Sequence, residues 1–274
     1  MDTDEVFVLL ASVVLAGAVG IPWYVRLLRR TMTPLSTTLT TRLLVGVSPV
    51  VLLAALWITL TFGAAREVRE HGEYIFLFVA LGAAWLIGLA WATGWLGMHV
   101  RDDAIERNNL AAAIATSGAL AGGMAVYAFA NLGEGDTIWT TIGPALLGTG
   151  LAVALWGVHQ IVSGATDAIV LDRDVASAIR FAGMALSTGL VIGRAVAGDY
   201  VSAGGTLRDL FIQGWPALPL AALSLFIQMR LRPTKEQPKP SARTHGFVPA
   251  LAYVALGIAV LLCLGSWTSS GRKQ

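Results

Sequence analysis

Charged side chains are scarce in this sequence: they make up 13% of 274 residues, against 55% hydrophobic ones. A soluble globule carries about 25% charged residues, so this composition excludes one and points to a bilayer. The net charge is only +2, and no Lys/Arg stripe is interleaved with stacking aromatics, which excludes a nucleic-acid surface. Cysteine occurs once, at Cys263 within an apolar run. There is thus no disulfide framework and no thiolate metal site, and the thiol is expected to be an inert packing residue. Positive charge is missing from Met1-Asp2-Thr3-Asp4-Glu5, where a secretory signal peptide would carry it, so the first apolar run reads as a retained helix. Catalytic signatures are missing too. There is no His-Glu-x-x-His, no Gly-x-x-x-x-Gly-Lys and no Gly-x-Ser-x-Gly, and Ser117-Gly118 and Ser163-Gly164 have no His placed to pair with them. No enzymatic activity, cofactor or metal is expected.

What the chain does have is apolar runs of about 20 residues, the length a helix needs to cross a hydrocarbon core of roughly 30 Å. The runs are continuous rather than alternating, which rules out a closed barrel. The expected fold is an all-α polytopic transmembrane bundle of about eight spans: 6–28, 43–62, 74–98, 109–131, 139–162, 175–197, 210–229 and 248–267. Basic residues concentrate in alternate connections: Arg26, Arg29, Arg30 and Arg42, then Arg101 and Arg107, then Arg173 and Arg180, then Arg230, Arg232, Lys235, Lys239 and Arg243. The positive-inside rule puts these in the cytoplasm and both termini outside. Residues 233–247 form a basic, Pro-rich cytoplasmic loop suited to anionic headgroups or a peripheral protein partner. Trp23, Trp95, Trp139, Trp215 and Trp267 fall near the expected interfaces.

The middle of the chain is written twice. A shift of 65 positions lays Ala111 on Ala176, Ala113 on Ala178, Ile114 on Ile179 and Gly118 on Gly183, and internal repetition fixes architecture before any motif does. The chain therefore divides into a three-span region 1–100, a duplicated core 101–232 (copies 101–168 and 169–232), the loop 233–247 and a last span with tail 248–274. Two spans per copy make the copies parallel, related by an axis along the membrane normal. Gly118, Gly122, Gly183 and Gly189 mark helix-packing positions, because lipid offers helices no hydrophobic reason to associate and small residues let backbones touch. Pro144 and Pro216 sit at matching places in the copies and are candidate kinks.

The candidate functional residues are polar groups at the cytoplasmic ends of the repeated spans: Asp102, Asp103, Glu106, Asn109, His159, Asp172, Asp174 and Arg180. Spacing of four places His99 with Asp103 and Asp102 with Glu106 on shared helix faces. Such carboxylates could hold a hard cation, but they match no ligand template; acidic residues beside a helix start also favour its dipole, with Asn109 and Asp174 as caps. Arg180 is a candidate partner for one of these carboxylates, while Arg194, near the far end of its span, is expected to snorkel.

Glu106-Arg107-Asn108-Asn109-Leu110-Ala111-Ala112-Ala113 with Gly118, echoed by Asp172, Ala176, Ala178, Gly183 and Ala195-Val196-Ala197-Gly198, resembles the YjfL-like family, domain of unknown function 350, over spans four to seven. The second copy departs by carrying Asp174 where Asn is usual. The resemblance implies a small bacterial inner-membrane protein without an established reaction, associated in some members with envelope-stress and membrane-remodelling partners. Two functions are expected to compete: a scaffold or sensor with a peripheral partner or as a homo-oligomer, and a channel or secondary transporter for a small ion or solute along the repeat axis.

Overall fold

The computed structural model describes residues 1–28, 39–133, 135, 137–198, 200, 202–234, 236 and 240–264. Arg29, Arg30, Lys235, Lys239 and Trp267, the expected end of the last span, lie outside these residues. Every regular element described is a helix. Among the described residues, seven helices are long and apolar enough to cross a membrane: α1 (Thr3–Val25), α2 (Thr40–Gly63), α3 (Gly72–Trp95), α4 (Leu110–Ala130), α5 (Trp139–Ser163), α6 (Val175–Val196) and α9 (Ala242–Cys263). Between α6 and α9 the pair α7 (Ala203–Gln213) and α8 (Ala217–Leu231), bent by 49°, supplies an eighth span when counted as one.

Local chemistry explains the ends. Helix α1 starts on a capping box, with Asp2 Oδ1 accepting from the Glu5 amide at 2.9 Å and Glu5 Oε2 accepting from the Asp2 amide at 2.7 Å. Helix α5 stops at Gly164, which adopts φ 64, a left-handed geometry that costs glycine nothing. Pro216 stands as the N-cap of α8, at the break with α7, whereas Pro144 lies buried inside α5.

Helices α4 and α6 form the centre. Burial reaches 67% over the α4 window and 78% over α6, against 33% or less for the other single spans. The two pack in parallel along small residues. A β-carbon added to Gly118 would fall 2.3 Å from Ala182 Cβ, one on Gly122 would fall 2.3 Å from the Ala185 carbonyl oxygen, and one on Gly189 would fall 2.3 Å from the Gly122 carbonyl oxygen. Gly118, Gly122 and Gly189 are therefore glycine because backbone meets backbone there. Gly183 packs elsewhere: its added β-carbon would strike Ala250 of α9 at 2.6 Å. Outward, the bundle presents Phe62, Ile161 and Leu262, a surface that a soluble protein could not sustain and that lipid accepts. Trp95, Trp139 and Trp215 stand exposed at helix ends. Cys263 is exposed at the end of α9, not packed inside as its apolar run suggested; α9 buries only a narrow stripe.

Details of the backbone recur at the same 65-residue interval. Asn108 and Arg173 are the two non-glycine residues with positive φ among the described residues, at 50 and 54. Each precedes a cap: Asn109 Oδ1 accepts from the amides of Ala111 and Ala112, and the Asp174 carboxylate accepts from those of Ala176 and Ser177. Upstream, a short helix precedes each of these turns, Val100–Glu106 as a π-helix and Ala165–Val170 as an α-helix. The Arg107 amide donates to the Asp102 carbonyl and the Asp172 amide to the Asp167 carbonyl.

Candidate functional site

The polar residues singled out in sequence do not meet in one place. Asp103 is buried, its Oδ2 accepting from the His99 amide at 2.8 Å and its Oδ1 paired with Arg107 at 2.9 Å. Glu106 pairs with Arg101 at 2.9 Å. Asp102 and Asp172 are exposed. No group of three or more His, Cys, Asp or Glu side chains is arranged to hold a metal among the described residues. Asp103, Asn109 and Asp174 each accept from backbone amides at the start of a helix, which their short side chains and acceptor oxygens suit.

Asn109 does one thing that Asp174 cannot. While its oxygen caps α4, its Nδ2 donates to the carbonyls of Ile169 at 2.9 Å and Val170 at 3.2 Å, binding the start of α4 to the short helix before α6. A carboxylate has no proton to donate in that position. Asp174 instead lies 3.9 Å from the Arg180 guanidinium.

Arg180 is the centre of a second, fully internal cluster. It is 0% exposed, although it lies only about one and a half turns inside α6. Its Nε donates to Gln228 Oε1 at 2.7 Å, its Nη2 to Ser177 Oγ at 2.9 Å and to the Leu231 carbonyl at 3.3 Å, and its Nη1 to the His245 carbonyl. Gln228 Nε2 donates to the same Ser177 hydroxyl at 2.8 Å. The planar fork of donors is what allows one side chain to serve four acceptors. Two of those acceptors are backbone carbonyls: Leu231 ends α8, and His245, within the stretch 233–247 expected to be loop, lies in the first turns of α9, which starts already at Ala242. Arg180 thus clamps both ends of the loop to the central helix. The pairing with a carboxylate expected from sequence is present only at long range; neutral acceptors carry the contact.

His159 is likewise displaced from the acidic group. It is buried in α5, with Nε2 3.2 Å from Ser224 Oγ on α8. Nδ1 has no hydrogen-bond partner among the described residues. Tyr253, on α9 and 1% exposed, turns its hydroxyl toward the same Ser224. Arg194 does not snorkel: it is 8% exposed and donates from Nη1 to Gln213 Oε1 at 3.0 Å, at the end of α7. Sequence reasoning missed Ser177, Ser224, Gln228, His245 and Tyr253. Ser224 and Gln228 had a legible signal, two polar residues one turn apart in an otherwise apolar run. The two carbonyls had none.

No curated protein and no solved structure matches the chain. A family model, Domain of Unknown Function (DUF350), matches residues 35–196. The match begins earlier than the resemblance in spans four to seven and ends with α6, so it takes in α2 to α6 and both capped turns. Covering more than half of the sequence, it shows that the chain belongs to the DUF350 family.

Proposed function

We propose that this protein is a non-enzymatic scaffold or sensor of the bacterial inner membrane, in envelope or membrane-stress maintenance, whose basic loop engages a peripheral protein on the cytoplasmic side. The observation that carries the reading is the contact between α4 and α6. Gly122 and Gly189 stand at backbone-to-backbone distance, which favours dry packing over a solute path between the equivalent helices at that level. Support comes from Arg180, which ties the loop's two ends to the most buried helix, so that a load on the loop reaches the core directly. The recurrence of cap, left-handed residue and short helix supports a duplication, and since a span and a short helix stand before each cap, its units read better as α3 to α4 and α5 to α6 than as 101–168 and 169–232.

Co-purification after mild detergent extraction tests the reading. A partner retained by the native chain and lost when Arg230, Arg232, Lys235, Lys239 and Arg243 are all changed to Gln is the expected result; no partner in any condition refutes it. The second reading, a channel or secondary transporter, draws on the 49° break at Gly214-Trp215-Pro216, since discontinuous helices form the binding sites of many transporters. It requires solute movement across liposomes containing the purified protein.

A further inference from the structure

Helices α1, α2 and α3 enclose a cleft of about 480 Å³, a volume in the range of roughly 300–1,000 Å³ typical of small-molecule sites. No charged side chain lines it among the described residues. Its mouth faces lipid: Val13 and Ile21 of α1, Val50 of α2 and Phe76 of α3 line it and stand exposed. The sequence opens the cleft by interrupting both walls. Helix α1 runs through π-helical turns at Leu15–Gly20, and Pro49 inside α2 deletes a backbone donor; such turns and prolines are where helices bend. Tyr24 donates its hydroxyl to the Gly46 carbonyl and ties α1 to α2 at one end. Gly17 lines the cleft with no packing reason to be glycine, since an added β-carbon would meet nothing within 4 Å.

Two observations say what the cleft holds. On α1 the lining runs from Val13 to Tyr24, about 16 Å at 1.5 Å per residue. That is half of a hydrocarbon core of roughly 30 Å, the depth that an acyl chain of one leaflet occupies. The second observation is charge. Arg42 lies on the same face of α2 as the lining residues Val45, Pro49 and Leu53, one turn beyond the Tyr24 end of the cleft. Arg101, which follows the lining residue Val100, is engaged by Glu106, whereas Arg42 joins no ion pair among the described residues. We propose that the cleft holds one anionic phospholipid, an acyl chain lying between α1 and α2 on the floor of α3 and the phosphate at Arg42. Lipid offers a chain no hydrophobic reason to leave the bulk bilayer, so retention rests on close packing along the cleft and on charge at its end. The inference does not depend on the scaffold reading, since lipid retention here and partner binding at the basic loop are measured separately.

The test is native mass spectrometry of the full chain, delipidated in mild detergent and titrated with phosphatidylglycerol or phosphatidylcholine of identical acyl chains. One phosphatidylglycerol per chain is expected to bind, about fivefold more tightly than phosphatidylcholine, the factor that about 1 kcal/mol for one arginine gives. Arg42→Gln is expected to erase that preference. Gly17→Leu fills the cleft and should abolish retention of either lipid. Gly150→Leu, at an exposed position of α5 whose added β-carbon also meets nothing within 4 Å, should leave retention unchanged. Ala80→Phe, which fills the cleft from α3, takes the place of Gly17→Leu if that variant does not fold. No saturable lipid, equal affinity for the two headgroups, binding that survives both cleft-filling variants, or a lipid-free dimer that they dissolve would each overturn the proposal.

Discussion

Replacing Arg180 by Met keeps much of the side chain's volume and removes every donor. Gln228 Oε1 and the carbonyls of Leu231 and His245 then lose their shared partner. At about 1–3 kcal/mol per buried unmatched acceptor, and with part of the loss relieved as the loop ends swing toward water, the net destabilisation is about 3–5 kcal/mol, the range for breaking a buried charged contact. Arg180→Lys is expected to recover less than half of it, because an ammonium cannot span two carbonyls and Gln228 together. The loss should be localised. In detergent micelles, limited proteolysis of the loop between Leu231 and His245 should accelerate with Arg180→Met well before the far end of the bundle becomes sensitive, and the unfolding midpoint should drop. A double-mutant cycle with Gln228→Leu should give a coupling of about 1–3 kcal/mol. An Arg180→Met protein with native loop proteolysis and an unchanged midpoint would refute the clamp.

Exchanging the caps separates their roles: Asn109→Asp should cost about 1–3 kcal/mol, because it loses donation to Ile169 and Val170, while Asp174→Asn keeps a capping oxygen and should stay within about 1 kcal/mol; equal effects in denaturant titration would contradict this. Gly122→Ala forces a β-carbon onto the Ala185 carbonyl oxygen at 2.3 Å and should destabilise by about 1–3 kcal/mol or more, whereas Gly150→Ala, which meets nothing within 4 Å, should be neutral or slightly stabilising. Tyr253→Phe removes a buried hydroxyl that faces Ser224 and should destabilise by about 0.5–1.5 kcal/mol in denaturant titration; a raised unfolding midpoint would contradict the contact.

The architecture was legible because its determinants are local. Apolar length marks each span, and Asn109 and Asp174 mark two helix starts on their own, since a cap acts on amides two and three residues away. Gly118, Gly122 and Gly189 announced a close helix contact, and the 65-residue interval between copies lies near the contact register, with Gly118 against Ala182. Gly183 was misleading in one respect. It occupies the place of Gly118 in its copy but faces α9, since the second helix of a duplicated pair must also pack on the span after the repeat. The site was much less legible. His159 lies close in sequence to the acidic residues after α5, yet helix rotation turns it toward Ser224. The acceptors of Arg180 outside its own helix come from residues 48 to 65 positions away, and two of them are backbone carbonyls that side-chain identity cannot signal.

The central claim, that the seam between α4 and α6 is closed and that the protein works through its loop rather than by conduction, is tested most directly by flux. Purified protein in liposomes, under imposed proton, potassium and sodium gradients, should move no ion faster than protein-free vesicles do. Protein-dependent, saturable movement of any of the three that Gly122→Ala abolishes would contradict the account.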